Sequence, residues 1–285
     1  VKLVAGGENS PAVLGLVARL ASTAGARVLA GRGTGPLATG PDTKSGAGDW
    51  VTDYDRGAER AVREYLASVR PGDALTGEEY PESGPGTSGY RWSIDPLDGT
   101  ANFVRGIVYY ATSVAVFGPG PDGEERWLAG AVTAPALGVQ YWAAAGEGAH
   151  RRPWSATVPG EAGQDSDAGV AGDVRLTGPD PDSDSPVLAT GFGYDAADRA
   201  VQLQAMATLL PHFVNVRRIG SAALDLCLVA EGALDAYAEL GTHEWDWAAG
   251  ALICEEAGVA VVRPARRGRW QSAGRVSLEG LPEFA

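Results

Sequence analysis

Apolar positions along the first seventy residues return at helical spacing, and the spacing changes further on. Val13, Leu16, Val17, Leu20 and Ala24 repeat behind Ser10-Pro11, an N-cap residue followed by proline at the first helical position, which predicts a helix. A Gly/Pro-rich connection over 31–48 leads to a second helix starting near Thr52 or Asp53, with Ala58, Ala61, Val62, Tyr65, Leu66 and Val69 on its apolar face. Two helices are therefore expected ahead of the first strand. From Leu75 the texture becomes that of short strands, at 90–94, 110–117, 127–133 and 139–143, separated by Gly/Pro turns; a largely antiparallel sheet follows. A tract over 154–185 rich in Gly, Asp, Ser and Pro, with one apolar interlude at 170–176, reads as an exposed connection.

Beyond Val187 strand and helix alternate. The pattern predicts a strand to Thr190, a helix over 195–210, a strand at 214–216 and a helix over 221–231 closed by Gly232. A strand at 234–238, a helix from about 244 to 257 closed by Gly258, and a strand at 259–262 complete it. Alternation of this kind implies an α/β half. The expected fold is α+β followed by α/β, stacked as α, β, α, β, α, with halves at 1–153 and 154–285 forming one compact unit.

Composition narrows the function. With 285 residues, 45% of them apolar, the chain can bury a sizeable core. Its net charge of −13 and pI near 4.7 argue against a nucleic-acid partner, whose phosphates are neutralised mainly by Lys and Arg. Arg19 and Arg27 interrupt the apolar N-terminal stretch, which keeps helical spacing; it is read as neither a signal sequence nor a membrane span, and a cytoplasmic location is expected. Cys227 and Cys254 sit inside apolar helical patterns and are read as buried, inert thiols.

Candidate chemistry centres on Asp95-Pro96-Leu97-Asp98-Gly99-Thr100, six residues with two carboxylates, a rigid residue and two backbone amides. Pro96 lacks an N–H and fixes φ, so an ordinary central strand is expected to turn there. Gly99 permits a close backbone approach or a positive φ. Asp95 and Asp98 can converge from the two sides of such a turn, and carboxylate oxygens suit hard Mg²⁺. Alone, the run reads more simply as a solvated Asp-Gly turn between strands. The other acidic groups are as ambiguous singly: Glu78 and Glu79 as a turn pair, Asp53 and Asp55 as helix N-terminal charges, Asp246 as a first-turn carboxylate favoured by the helix dipole. His243 has no partner at metal-ligand spacing and is read as a packed histidine, as are His150 and His212.

The joint arrangement is more specific than any of its parts. Lys44, Asp49-Trp50-Val51-Thr52 and Asp55 are followed by Gly77-Glu78-Glu79 and by Trp92-Ser93-Ile94-Asp95-Pro96-Leu97-Asp98-Gly99-Thr100-Ala101-Asn102-Phe103. Then come Arg218-Ile219-Gly220-Ser221-Ala222-Ala223-Leu224-Asp225 and Glu239-Leu240-Gly241-Thr242-His243-Glu244-Trp245-Asp246-Trp247. In order, spacing and residue type this set resembles the inositol monophosphatase family of Mg²⁺-dependent, lithium-sensitive phosphatases. The resemblance implies a layered αβαβα sandwich of the sugar-phosphatase type and two or three Mg²⁺ ions per site. Glu78, Asp95 and the Leu97 carbonyl would hold one ion, and Asp95, Asp98 and Asp246 a second, with a third leaning on Glu78. Thr100 and Asp55, with Glu78, would activate a water, and no phosphoenzyme is implied. Backbone amides of Gly99 and Thr100 would meet the phosphate, while Asp98, Gly220, Ser221, Ala222 and Glu239 would recognise the leaving group. The resemblance also implies a homodimer and a small phosphorylated polyol or sugar as substrate, most simply myo-inositol monophosphate. Alternatives are fructose 1,6-bisphosphate, histidinol phosphate, a 3′-phosphoadenosine nucleotide, a secondary-pathway intermediate or, in a different class, a non-enzymatic metal-binding scaffold. Departures are few: Val108, Val259 and the 154–185 tract, none at a proposed ligand.

Overall fold

Ser10 begins the first helix as expected: its Oγ accepts from Val13 N at 3.4 Å, and α1 (Pro11–Ala30) follows with Pro11 in its first turn. The computed structural model describes residues 7–33, 35, 37, 41–43, 50–156 and 172–284; Lys44, Asp49 and residues 157–171 of the connecting tract lie outside them. By length and a mean hydropathy of 1.4 the α1 stretch could cross a membrane, but 61% of it is buried inside this protein, against a sheet. The second helix, α2 (Asp53–Val69), is opened by Thr52, which forms a capping box with Asp55. Val69 falls off its apolar face and is 45% exposed. Contrary to the two-helix start, a two-residue ladder of β1 (Asp42–Thr43) and β2 (Trp50–Val51) precedes α2.

A seven-stranded sheet comes next, in chain order β3 (Ala74–Gly77), β4 (Arg91–Asp98), β5 (Ala111–Pro119), β6 (Glu125–Ala134), β7 (Val139–Ala144), β8 (Gly148–Pro153) and β9 (Val174–Arg175). Only β3 and β4 pair in parallel. A short helix, α3 (Thr100–Arg105), leaves the end of β4. Strands β8 and β9 carry Arg, His and Gly among few apolar residues, and hydropathy alone did not mark them; β9 extends this sheet past residue 153.

The second sheet is mixed, with spatial order β11-β10-β12-β14-β13: β10 (Val187–Ala189), β11 (Asn215–Arg217), β12 (Ala236–Leu240), β13 (Val261–Val262) and β14 (Trp270–Gly274). Helices α4 (Ala196–Leu209), α5 (Ala222–Glu231) and α6 (Glu244–Glu256) connect them. Two expectations are corrected here. Strand β12 starts at Ala236 and not Leu234, because the Leu234 amide bonds back to Leu228 O at the end of α5. The interior strand β14 escapes the pattern: Gln271 and Ser272 hide it from an apolar-run reading, although both are buried in the ladder.

Alternate faces of the strands make the layers. Val114 and Val116 of β5 pack with Leu14, Val17, Ala21 and Val62 of α1 and α2, while Ala115 between them faces the other way, toward α5 and α6. That middle helical layer also packs on Ala189, Tyr237 and Ala273 of the second sheet, whose far face meets Ala205, Met206 and Leu209 of α4. The order is α, β, α, β, α. Helix α6 lies close on β6: a Cβ on Gly130 would come 2.9 Å from Ala249 Cα. Cys227 and Cys254 are buried and unbridged, and burial pushes both thiols up, as expected of inert cysteines.

Candidate active site

Asp95 and Asp98 owe their convergence to an irregularity in β4. In an unbroken strand residues three apart point to opposite faces. Here Asp95 pairs with Ser113 and Asp98 with Ala111, so two residues of β4, Pro96 and Leu97, stand opposite the single Thr112 of β5. This is a β-bulge, and it corrects the expected turn: the strand runs through Pro96 because a bulge leaves a residue whose N–H the ladder does not need. Thr112 Oγ1 donates to Pro96 O at 2.9 Å, and Asp95 Oδ1 accepts from Leu97 N at 3.0 Å. Both carboxylates then line one cavity of ≈ 390 Å³.

The chain leaves the bulge through Gly99, at φ 95°, where a Cβ would sit 2.9 Å from Tyr109 O and 3.2 Å from Gly220 O. Glycine is required there twice over, for conformation and for space. Thr100 follows as the first residue of α3; its Oγ1 lies 2.9 Å from Asp55 Oδ1 and 3.0 Å from Leu97 O. Asp55 is fully buried and also accepts from Thr52 N at 2.7 Å and Thr52 Oγ1 at 2.5 Å. It reaches the cavity only through Thr100. Burial raises its pKa, against those hydrogen bonds.

Four more elements supply the remaining expected residues. Glu78, at the end of β3, lines the cavity, its amide bonded to Ile94 O at 3.2 Å. Asp246, in the first turn of α6, accepts from His243 N at 2.7 Å, and the His243 ring stacks on Trp245 at 4.7 Å. Asp98 Oδ2 accepts from Ser221 Oγ and Ala223 N, each at 2.7 Å, so the start of α5 grips the aspartate. Glu239, inside β12, accepts from Tyr237 OH at 2.9 Å and abuts Gly191, where a Cβ would come within 2.2 Å of the carboxylate. Leu97, Gly99, Gly220, Ser221 and Ala222 line the same cavity.

Charge reports the same convergence. Asp95 titrates well above the usual aspartate range because it is buried and faces Glu78, Asp98 and Asp246. Asp246 is raised by burial, then by Asp98 and Glu78. Burial takes Asp98 to about 6 and Glu239 to about 7. Like charges held out of water favour protonation or a cation. The carboxylates share the cavity without closing on a point: among the described residues, no three His, Cys, Asp or Glu side chains are gathered tightly enough to hold an ion as they stand. An all-oxygen donor set of this kind matches a hard divalent cation.

Sequence reasoning missed several residues here. Asn102 Nδ2 donates to Tyr109 O at 2.8 Å and Ile219 O at 2.9 Å, tying the Gly220 turn to the Gly99 turn. Phe192, Tyr194, Arg218, Arg267 and Phe284 form parts of the wall. Asn102 and Arg218 stand inside the quoted runs without a role assigned to them, and no local pattern marks Phe192, Tyr194, Arg267 or Phe284. Glu59 has a signal in hindsight, lying one helical turn after Asp55 on the buried face of α2.

Residues 12–283 match the inositol monophosphatase family. The inositol-1-monophosphatase of Mycobacterium leprae is 43% identical over 239 residues, 82% of this chain and 75% of that protein. The Nus factor SuhB of Pasteurella multocida is 34% identical over 218 residues, 76% of this chain and 72% of that one. Among solved structures, Mycobacterium tuberculosis SuhB superposes with a TM-score of 0.72 at 38% identity, covering 93% of this chain and 92% of its own. With the fold and the matched length in agreement, this chain belongs to the inositol monophosphatase family of phosphoric monoester hydrolases.

Proposed function

We propose that the chain is a Mg²⁺-dependent phosphomonoesterase of small polyol or sugar phosphates, with myo-inositol monophosphate as its ester, acting as a homodimer. The observation that carries this is the meeting of Glu78, Asp95, Asp98 and Asp246, from three strand or helix ends and a bulge, in one cavity beside the Gly99-Thr100 turn. Glu78, Asp95, the Leu97 carbonyl, Asp98 and Asp246 would hold Mg²⁺, which when bound supplies charge neutralisation for the phosphoryl oxygens and acidifies water.

The chain's own groups account for the rest. Thr100 Oγ1 orients the attacking water, and Asp55, its pKa raised by burial, receives the proton through that hydroxyl. Neither forms a bond to phosphorus. The Gly99 and Thr100 amides face the phosphate across a turn that carries no Cβ. Glu239 accepts hydrogen bonds from ring hydroxyls, with Tyr237 OH fixing its orientation. Gly220 and Ala222 line the cavity beside Ser221, whose hydroxyl holds Asp98.

The test is phosphate release from myo-inositol 1-phosphate with and without Mg²⁺, run beside a panel of other phosphate esters. Wild type is expected to turn over only with Mg²⁺, and Asp95→Asn to fall at least about a hundredfold while its melting temperature in EDTA holds or rises. Undiminished turnover by Asp95→Asn overturns the assignment, and a different preferred ester in the panel overturns the substrate.

A further inference from the structure

Helix α2 carries a second buried carboxylate that the chemistry above does not use. Glu59 lies four residues after Asp55, on the same side of the helix, and both are fully buried. Asp55 reaches forward to Thr100; Glu59 reaches to the loop after β3. Its Oε2 accepts from Glu79 N at 2.7 Å and its Oε1 from Tyr80 N at 3.3 Å. A buried carboxylate on two successive backbone amides fixes those peptides far better than solvent could.

Two neighbours complete the grip. Arg63, one turn further along α2, donates Nε to Glu59 Oε1 at 2.7 Å and Nη2 to Tyr80 O and Pro81 O, each at 3.2 Å. Gly77 packs directly on the carboxylate: a Cβ there would stand 2.2 Å from Glu59 Oε1. No positive φ explains that glycine, so the space is what Glu59 needs. On its other side the loop is held by the Glu78 amide on Ile94 O and by the parallel pairing of Gly77 with Ile94. Glu78 is therefore clamped between α2 and β4, and β4 also carries Asp95.

We propose that Glu59, braced by Arg63, is a positioning residue for the metal site: it holds the Gly77-Glu78-Glu79 loop so that the Glu78 carboxylate faces Asp95 when Mg²⁺ binds. The inference rests on the proposed Mg²⁺ dependence. Glu59 touches neither substrate nor metal in this assignment, so its removal acts through the placement of Glu78. Glu59→Gln keeps the shape but replaces one acceptor oxygen with an N–H₂ group that faces an amide or the guanidinium.

Titration calorimetry with Mg²⁺ alone, together with phosphate release as Mg²⁺ is varied, reads the effect. Glu59→Gln is expected to weaken Mg²⁺ binding at least about tenfold and to raise the Mg²⁺ concentration for half-maximal turnover in parallel. At saturating Mg²⁺ most of kcat returns, and KM for the ester stays within about twofold. Arg63→Lys, which keeps the charge and loses the fork to Tyr80 O and Pro81 O, is expected to show a smaller change in the same direction; it stands in if Glu59→Gln does not fold. A folded Glu59→Gln, or failing that Arg63→Lys, that binds Mg²⁺ as wild type does overturns the positioning role and leaves the proposed function intact. A wild-type protein that binds no Mg²⁺ overturns that function, and the role with it.

Discussion

Thr100 shows how much rests on single atoms at this site. Its hydroxyl oxygen stands within donating distance of both Asp55 Oδ1 and Leu97 O, so one side chain joins the buried carboxylate of α2 to the bulged strand. Replacing it with isosteric Val removes the bridge and leaves Asp55 with its Thr52 partners only. Thr100→Val is expected to lower kcat by about 10² to 10⁴, the usual contribution of a positioned proton-transfer group, with KM for the ester changed far less. Stopped assays at saturating Mg²⁺ measure both. A kcat within threefold of wild type removes Thr100 from the proton path. This residue was legible in sequence because it follows Asp98-Gly99 directly. Glu59 is not, since a Glu in mid-helix looks like an ordinary surface residue until the loop it holds is known, and Asn102 stands in the same run with no role visible until the Gly220 turn is placed beside it.

At the scale of elements, β4 is the instructive case. Asp-Pro-Leu-Asp-Gly carries the same local signature whether the chain turns away or merely bulges, and what decides is the strand beside it. Thr112 settles the matter: buried opposite the extra residue, it gives its hydroxyl to Pro96 O. Thr112→Val keeps the volume and leaves that carbonyl unsatisfied, a loss of about 1–3 kcal/mol in urea unfolding. An unchanged midpoint and slope sink the view that this bond holds the bulge. Helix starts are legible at α1, α2 and α5, where Ser10, Thr52 and Ser221 mark them, and Gly232 marks the end of α5. The second sheet was read less well. Its interior strand β14 is polar where it is most buried, and the start of β12 is set by where the Leu234 amide turns back to α5.

Across the whole molecule, the two sheets and the helices between them bring into one cavity carboxylates that the sequence spreads from Glu78 to Asp246. The raised pKa values of Asp95, Asp98, Glu239 and Asp246 make a statement about stability. In the unfolded chain Asp98 and Glu239 titrate near 3.8 and 4.5; folded and without metal, they titrate near 6 and 7, and Asp95 and Asp246 are raised in the same sense. Between about pH 4 and pH 7 the folded state thus binds more protons than the unfolded one, so stability falls as pH rises through that window. His150 opposes this, because burial lowers its pKa and its protonation on acidification favours unfolding, but burial also raises Asp55, Glu59 and Asp225, and the carboxylates outweigh it. Integrated over the window, Asp98 alone makes the metal-free fold about 2 kcal/mol less stable at pH 8 than at pH 4. In EDTA the melting temperature is expected to drop by about 5 °C or more between pH 5.5 and pH 8. Mg²⁺ reverses the trend, because a cation among the carboxylates favours their ionised form. At 100 times its dissociation constant it adds about 3 kcal/mol, and the gain in melting temperature should be larger at pH 8 than at pH 5.5, where protons compete for the same oxygens. Scanning calorimetry at the two pH values, with and without Mg²⁺, reads all four states. An EDTA melting temperature that holds or rises toward pH 8, or a Mg²⁺ gain equal at both, means that these carboxylates do not face one another strongly enough to form the site.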